Sequence, residues 1–572
     1  MSAVTPPTAG SGAAERAVDV VRAVNGVLLP GFTGTDDLPA WLVDAARDGL
    51  AGVVLFGHNT PDVATTARLT ARLRGASPDL LVAVDEEGGD VSRLEAATGS
   101  SLPGNAALGL VDDVAVTEEV GVALGRLLTA TGVDLDLAPD LDVNSDPDNP
   151  VIGVRSFGAD PALVARHGAA FVRGLHAGGA GACGKHFPGH GATNVDSHLA
   201  LPVVDASLDE LRARDLPPFV ATIAPGDGSD DALLDAVMTA HVVVPALGPL
   251  PATLEPAVGA LVRELGFDGP IVTDALDMGA VATFAADTAS GASSRAVGDD
   301  KTPHGIGEVA VRAVEAGADL LCLGTTVGRD DEVLFRQAQR ALVDAVASGR
   351  VAVERLHASA ARTARTLAAV RARQAASGVV PSPESARAAL DALDRVGARV
   401  AARAVRFAGP APQDPPVTVA PDVVDLRLRF DHAAGRTAQH VQRALDAAFG
   451  PDVRHLRPAD AAAWAHALDA VRAGDRPLVV LTREPVPGSG EHERLTELLA
   501  ARPDAAVVHT GFPGAVDAWF GADRTVVVAC GTGRANARAA VALLRGTGAA
   551  AGTEAETPRD DLPVGAAGEG DR

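Results

Sequence analysis

Residues 180–198 read AGACGKHFPGHGATNVDSH. The first five are small or apolar, as a buried strand requires, and the next two are a lysine and a histidine. A run that breaks off into ionisable side chains is expected at the edge of a parallel sheet where ligands bind. Seven further runs of this kind lie along the first 324 residues: GVLLP (26–30), GVVLF (52–56), LLVAV (80–84), VDLDLAP (133–139), AVMTA (236–240), PIVT (270–273) and ADLLCLG (318–324). Longer Ala- and Leu-rich helical stretches separate them, an alternation that predicts parallel strands covered by helices. Eight such units over about 300 residues predict an α/β fold of the (β/α)8 TIM-barrel type. Asp85 follows the third run, Asp140 and Asp142 the fourth, Lys185 and His186 the fifth, His241 the sixth and Asp274 the seventh. So regular a placement predicts a catalytic mouth rather than a scaffold.

A chain of 572 residues is too long for one core. Residues 1–15 are expected to be disordered, 16–377 to form the barrel, and 378–405 to be a linker and helix entered through GVVPSPES (378–385). The runs PLVVLT (477–482), AAVVHT (505–510) and TVVVAC (525–530) predict a smaller α/β layered sandwich domain over 406–545, followed by a disordered tail, 546–572. Residues 284–305 are small and polar and read as a mobile loop at the barrel face, either a surface insertion or a lid. The glycine turn GTGRANARAA (531–540) lacks the lysine followed by Ser or Thr that holds phosphate, so a strand-to-helix turn accounts for it.

Acidic residues outnumber basic ones by 74 to 49, a net charge of −25 that repels nucleic acid and anionic membranes alike. The three cysteines are far apart and sit in apolar surroundings, which points to packing rather than disulfides or a zinc knuckle. No stretch has the roughly 20 unbroken apolar residues of a membrane span, and the start lacks a basic-then-apolar leader, so a cytoplasmic location is expected. With no tyrosine and only three tryptophans, the chain has little material for the flat platforms that grip long polysaccharides. A small soluble ligand is the expectation.

The segment KHFPGHGATNVDSH (185–198) admits three readings. His186, His190, Asp196 and His198 carry metal-ligating atoms, although the spacing suits no helical zinc motif. Pro and Gly also make a structural turn in which histidines satisfy backbone groups. In the third reading, Asp196 and His198, two apart in extended chain, share one side of the backbone; the carboxylate then favours a protonated imidazole able to donate near neutral pH.

The same segment resembles the signature of β-N-acetylglucosaminidases of glycoside hydrolase family 3, in which KHFPGHG leads into a D-S-H triplet. Three other stretches resemble that family in the expected order: VDEEGGDVSRL (84–94), LAPDLDVNSDPDNPVIGVRSFG (137–158) and GFDGPIVTDALDMGA (266–280), the whole spanning roughly 20–375. The resemblance implies that Asp274 is the nucleophile, that His198 is the general acid and base, and that Asp196 orients it. It also implies sugar binding by Asp85, Arg93, Arg155, Lys185 and His186, of which Lys185, Arg93 and Arg155 supply the positive field that keeps Asp274 ionised. For each of the binding residues taken alone, an ordinary salt bridge is the plain alternative. Asp277 reads as a supporting group, and His241 as lining the pocket or capping its strand.

There are departures from the family pattern. Asp90 stands where a basic residue is usual, His58 where an arginine commonly precedes Asn59, and Ala275 where a second aspartate is common. The activity implied is a retaining, exo-acting hydrolase of terminal N-acetylglucosamine in peptidoglycan fragments or small glycans, with no metal and no organic cofactor. The rivals are a phosphorylase using phosphate as acceptor, a metal-dependent hydrolase, and a sugar-binding protein without turnover. Sequence leaves the oligomeric state and the role of the second domain open.

Overall fold

The computed structural model describes residues 11–193, 201–223, 233–278, 281, 305–324, 328–427, 439–458, 460–521 and 523–547. The loop expected at 284–305 falls almost wholly outside them. Each of the eight apolar runs becomes a parallel strand: β1 (Leu28–Leu29), β2 (Gly52–Leu55), β3 (Leu81–Val84), β4 (Leu135–Asp136), β5 (Gly181–Phe187), β6 (Ala236–Thr239), β7 (Ile271–Thr273) and β8 (Leu321–Cys322). β2 to β7 pair in chain order, and β1 pairs with β8. The ring closes through Thr273 N donating to Leu320 O and Val54 N to Pro30 O, each at 3.0 Å.

The expected (β/α)8 barrel is therefore the observed architecture. Its strands are buried on both faces, which is why most read as apolar runs rather than alternating ones; in VDLDLAP the alternating Asp134 and Asp136 are themselves buried. Leu29, Val54, Leu81, Ala83, Cys183 and Met238 fill the interior. Leu28, Val53, Val82, Val237 and Ile271 pack outward under the helices.

One boundary differs in a way that matters. Lys185 and His186 do not follow β5 but lie within it, and the pairing of β5 with β6 shifts register between Gly184 and Phe187. An irregularity of this kind re-aims neighbouring side chains. Both residues thereby reach polar partners at the barrel mouth.

The second domain is a six-stranded sheet: β9 (Arg406–Ala408), β10 (Asp422–Asp425), β11 (Arg454–Leu456), β12 (Leu478–Thr482), β13 (Ala506–His509) and β14 (Val526–Val528), in the order β11-β10-β12-β13-β14-β9. All neighbours are parallel except β9, which runs against β14. Taken in chain order, the parallel strands stand 2-1-3-4-5, a doubly wound arrangement whose ligand edge lies at the carboxyl ends of the strands. Apolar side chains cover both faces, Val423, Val479 and Val508 on one and Val424, Val480 and Leu498 on the other.

Between the domains runs the helix Pro383–Ala404, started by Ser382, whose side chain accepts from Ser385 N. Leu393, Val396 and Val400 of this helix join the barrel's outer core. No helix among the described residues is long and apolar enough to cross a membrane.

Candidate active site

The barrel mouth holds a connected charge network. Asp85, just past β3, receives Arg93 Nη2 at 2.9 Å on one oxygen and the Lys185 ammonium on the other. Lys185 Nζ also lies 2.5 Å from Glu87 Oε1. Glu87 in turn receives Arg155 in a two-pronged pair, Nε to Oε2 at 2.9 Å and Nη2 to Oε1 at 2.7 Å. Arg155 Nη2 stands 3.3 Å from His186 Nε2, and His186 Nδ1 is 2.7 Å from Asp142 Oδ2. The five binding residues expected from the sequence are thus brought together, joined by Asp142, which the sequence places at the barrel mouth without a binding role, and by Glu87, which it does not assign to the site.

Burial fixes how these groups ionise. It pushes Glu87 upward, but the charges of Arg155 and Lys185 outweigh it and hold the carboxyl well below its ordinary value. Burial alone lowers Lys185, and Asp85 and Glu87 more than reverse that, so the ammonium stays charged. Asp142 is likewise pushed up by burial and brought below its usual value by His186. Asp140, buried beside Asp142, is held well above the carboxylate range, and its Oδ2 has no hydrogen-bond partner among the described residues.

Asp274 sits half-buried one residue past β7, its Oδ1 accepting from Ala275 N at 2.7 Å. His241, past β6, braces this corner: Nδ1 is 2.9 Å from Thr253 Oγ1, and Nε2 reaches Ala275 O at 3.0 Å. Donation to that carbonyl sets the proton on Nε2. Burial raises the Cys322 thiol to about 12, with Asp274 and Asp85 adding to the rise and Lys185 opposing it. Of the three cations expected to keep Asp274 ionised, Arg93 pairs with Asp85, Arg155 with Glu87, and Lys185 with both. Asp277 is buried and paired with Arg329.

His198 and Asp196 lie outside the described residues. Of the metal-ligand set considered from sequence, His186 and His190 are described, with ring centroids 6.0 Å apart. Burial lowers His190 to about 4, and its Nδ1 is 2.9 Å from Thr193 Oγ1. Asp140, Asp142 and His186 bring donor atoms within 4.8 Å of one another. Asp142 already uses one oxygen on His186 and the other on His190 N at 2.6 Å, so a cation there has to displace that bonding.

Comparison with known proteins gives a consistent result. Residues 33–366, more than half of the chain, match the model of the glycosyl hydrolase family 3 N-terminal domain. The chain is 32% identical to a β-hexosaminidase A of Pseudoalteromonas piscicida over 345 residues, covering 56% of this chain but only about half, 53%, of that protein. It is 40% identical to a β-hexosaminidase of Stenotrophomonas maltophilia over 267 residues, 44% of this chain and 76% of the relative. Among solved structures, a family 3 β-N-acetylglucosaminidase from Paenibacillus aligns over 92% of this chain and 96% of its own, at 31% identity and a TM-score of 0.74.

Proposed function

This chain belongs to glycosyl hydrolase family 3 and is a glycoside hydrolase, and from that premise we infer that it is a retaining, exo-acting β-N-acetylglucosaminidase. Its substrates on this reading are small glycans ending in β-linked N-acetylglucosamine, peptidoglycan fragments among them. The carrying observation is the network of the buried Lys185, Glu87, Arg155, His186 and Asp142 with the half-buried Asp85, set at the strand ends of the same barrel mouth as the half-buried carboxylate of Asp274.

Asp85 accepts from ring hydroxyls, while Lys185, Arg93 and Arg155 donate to ring and acetamido oxygens. Because these charges are already paired inside the protein, they are held in place before the sugar arrives and need no reorganisation as charge develops. Asp274 attacks the anomeric carbon, and the bond to the leaving oxygen breaks as a glycosyl-aspartyl ester forms. His198, oriented by Asp196, gives its proton to that oxygen. It then takes one from the water that cleaves the ester, a task most retaining enzymes give to a second carboxylate.

The test is a phosphate-controlled assay on a β-linked N-acetylglucosaminyl–muramic acid disaccharide, with products identified by mass. Free N-acetylglucosamine in both conditions supports hydrolysis, whereas a sugar 1-phosphate appearing only with phosphate replaces this reading by phosphorolysis. A slow fluorinated glycoside should label a peptide containing Asp274, and His198→Ala should spare activated aryl glycosides relative to the disaccharide in the first step.

A further inference from the structure

The geometry points to Asp90 as a positioning residue through which the second domain holds the sugar-gripping loop of the barrel, an inference that rests on the glycosidase reading for its kinetic consequence. Asp90 lies at the tip of the loop after β3, five residues beyond Asp85 and three before Arg93. Its side chain is 1% exposed, and among the described residues its side-chain hydrogen bonds go to the second domain. Oδ2 receives Arg483 Nη1 at 2.5 Å, and Oδ1 accepts from Thr532 N at 2.6 Å and Thr532 Oγ1 at 3.0 Å.

Arg483 follows β12 directly, and Thr532 lies four residues past β14. The carboxylate thus occupies the carboxyl-end edge of a doubly wound sheet, where such folds place ligands. The glycine turn GTGRANARAA, which sequence alone resolves only as a strand-to-helix turn, is filled by an anion from 442 positions earlier in this same chain. The aspartate that departs from the family's usual basic residue is the complement of Arg483. A basic side chain at position 90 meets a guanidinium instead.

The loop itself is built to transmit a hold at its tip. Gly88 and Gly89 take left-handed φ of 78° and 65°, and a Cβ on Gly89 comes within 2.8 Å of Gly104 Cα, so the reversal is tight and admits no side chain. At the base, Glu86 Oε2 accepts from Arg93 N at 2.8 Å and Leu94 N at 2.7 Å. The Asp85–Arg93 pair closes the same turn. Just beyond, Arg534 Nη2 reaches Glu95 at 2.8 Å, and Asn536 Nδ2 reaches Pro103 O at 3.0 Å, so the second domain lies along the loop's return as well. Residues 85–94 are pinned at the base by the barrel and at the tip by its neighbour. Asp85 and Glu87, which aim Lys185 and Arg155, depend on both.

The test compares Asp90→Ala, Thr532→Ala and the charge-reversed pair Asp90→Arg with Arg483→Asp in the full chain. Each is assayed on an aryl β-N-acetylglucosaminide, with hydrogen exchange of the peptide covering 85–94 read in parallel. Asp90→Ala should raise KM about tenfold with kcat within about threefold, because displacement of gripping groups weakens binding before chemistry. Exchange in 85–94 should quicken while the barrel strands stay protected. Thr532→Ala, which keeps the ion pair, should raise KM about two- to threefold, and the reversed pair should recover part of the loss. An unchanged KM with unchanged exchange overturns the proposal, as does exchange that rises evenly across the barrel without rescue, which marks a contact for general stability only. If Asp90→Ala does not fold, Thr532→Ala and the reversed pair decide by the same criteria. If the unaltered enzyme leaves the glycoside intact, the functional reading fails, and exchange in 85–94 alone judges the clamp.

Discussion

The barrel mouth and the strand-end edge of the second domain follow one architectural rule and put it to different uses. Both gather polar side chains where parallel strands end. At the barrel, Asp85, Lys185, Glu87, Arg155 and His186 pair with one another on the strand-end face where Asp274 follows β7. At the second domain, Arg483 and Thr532 turn outward to a carboxylate of the barrel. The lesson is that a strand-end position states where polar groups collect, and the partner that faces them decides whether they act on a ligand or on the protein itself.

The sharpest break in that comparison comes from Asp274→Asn. The variant should lose turnover of an aryl β-N-acetylglucosaminide by on the order of 10⁴-fold with its near-UV circular dichroism intact. A rate within tenfold of the unaltered enzyme moves the chemistry away from the barrel mouth. Next in size is Glu87→Ala, which leaves Arg155 and Lys185 buried without their shared counter-charge. Denaturant unfolding should show the barrel transition weakened by about 3–5 kcal/mol. Because the Glu87 carboxyl is held below its ordinary 4.5, its contribution is complete above that pH and fades as acid is added.

The smallest effect has the opposite sign. Burial raises Glu86 from 4.5 to about 7. An acid raised in the fold favours it most below its unfolded value, and that advantage is lost as pH climbs through the folded one. Glu86→Gln keeps an acceptor for the amides of Arg93 and Leu94 and removes the charge. Its stability relative to the unaltered protein should therefore rise between pH 4.5 and about 7, by up to about 3 kcal/mol, and then level off. A flat difference across that window places the Glu86 carboxylate in water.

The barrel was legible because its strands are buried on both sides, so most announce themselves as apolar runs, and the third to seventh run into ionisable side chains. Half of the second sheet was not. RFA (406–408), DVVD (422–425) and RHL (454–456) carry charges inside strands too short to show a period, and only pairing with longer neighbours makes them strands. The five expected binding residues do meet. Glu87 escaped notice because nothing local separates it from Glu86, and the distinction lies in Arg155, 68 residues on. Asp142 is defined by His186, 44 residues on, and the glycine turn by Asp90. In each case the deciding partner is remote, and although chain order places Asp142 and His186 at one mouth, it does not pair them. For Asp196 and His198, the assignment stands on the motif.

The helix Pro383–Ala404 bears on how such a protein can be dismantled. A Cβ on Gly397 comes within 1.8 Å of Ser101 O, so the helix lies flush against the barrel, and its Asp394 is shared by Ser101 Oγ at 3.2 Å and Arg534 Nη1 at 3.0 Å. A cut after residue 377 removes this helix together with the second domain. It strips a flank from the barrel and uncovers Leu102 and Ala107, so a shortened chain is expected to need new polar side chains at those two positions to stay in solution.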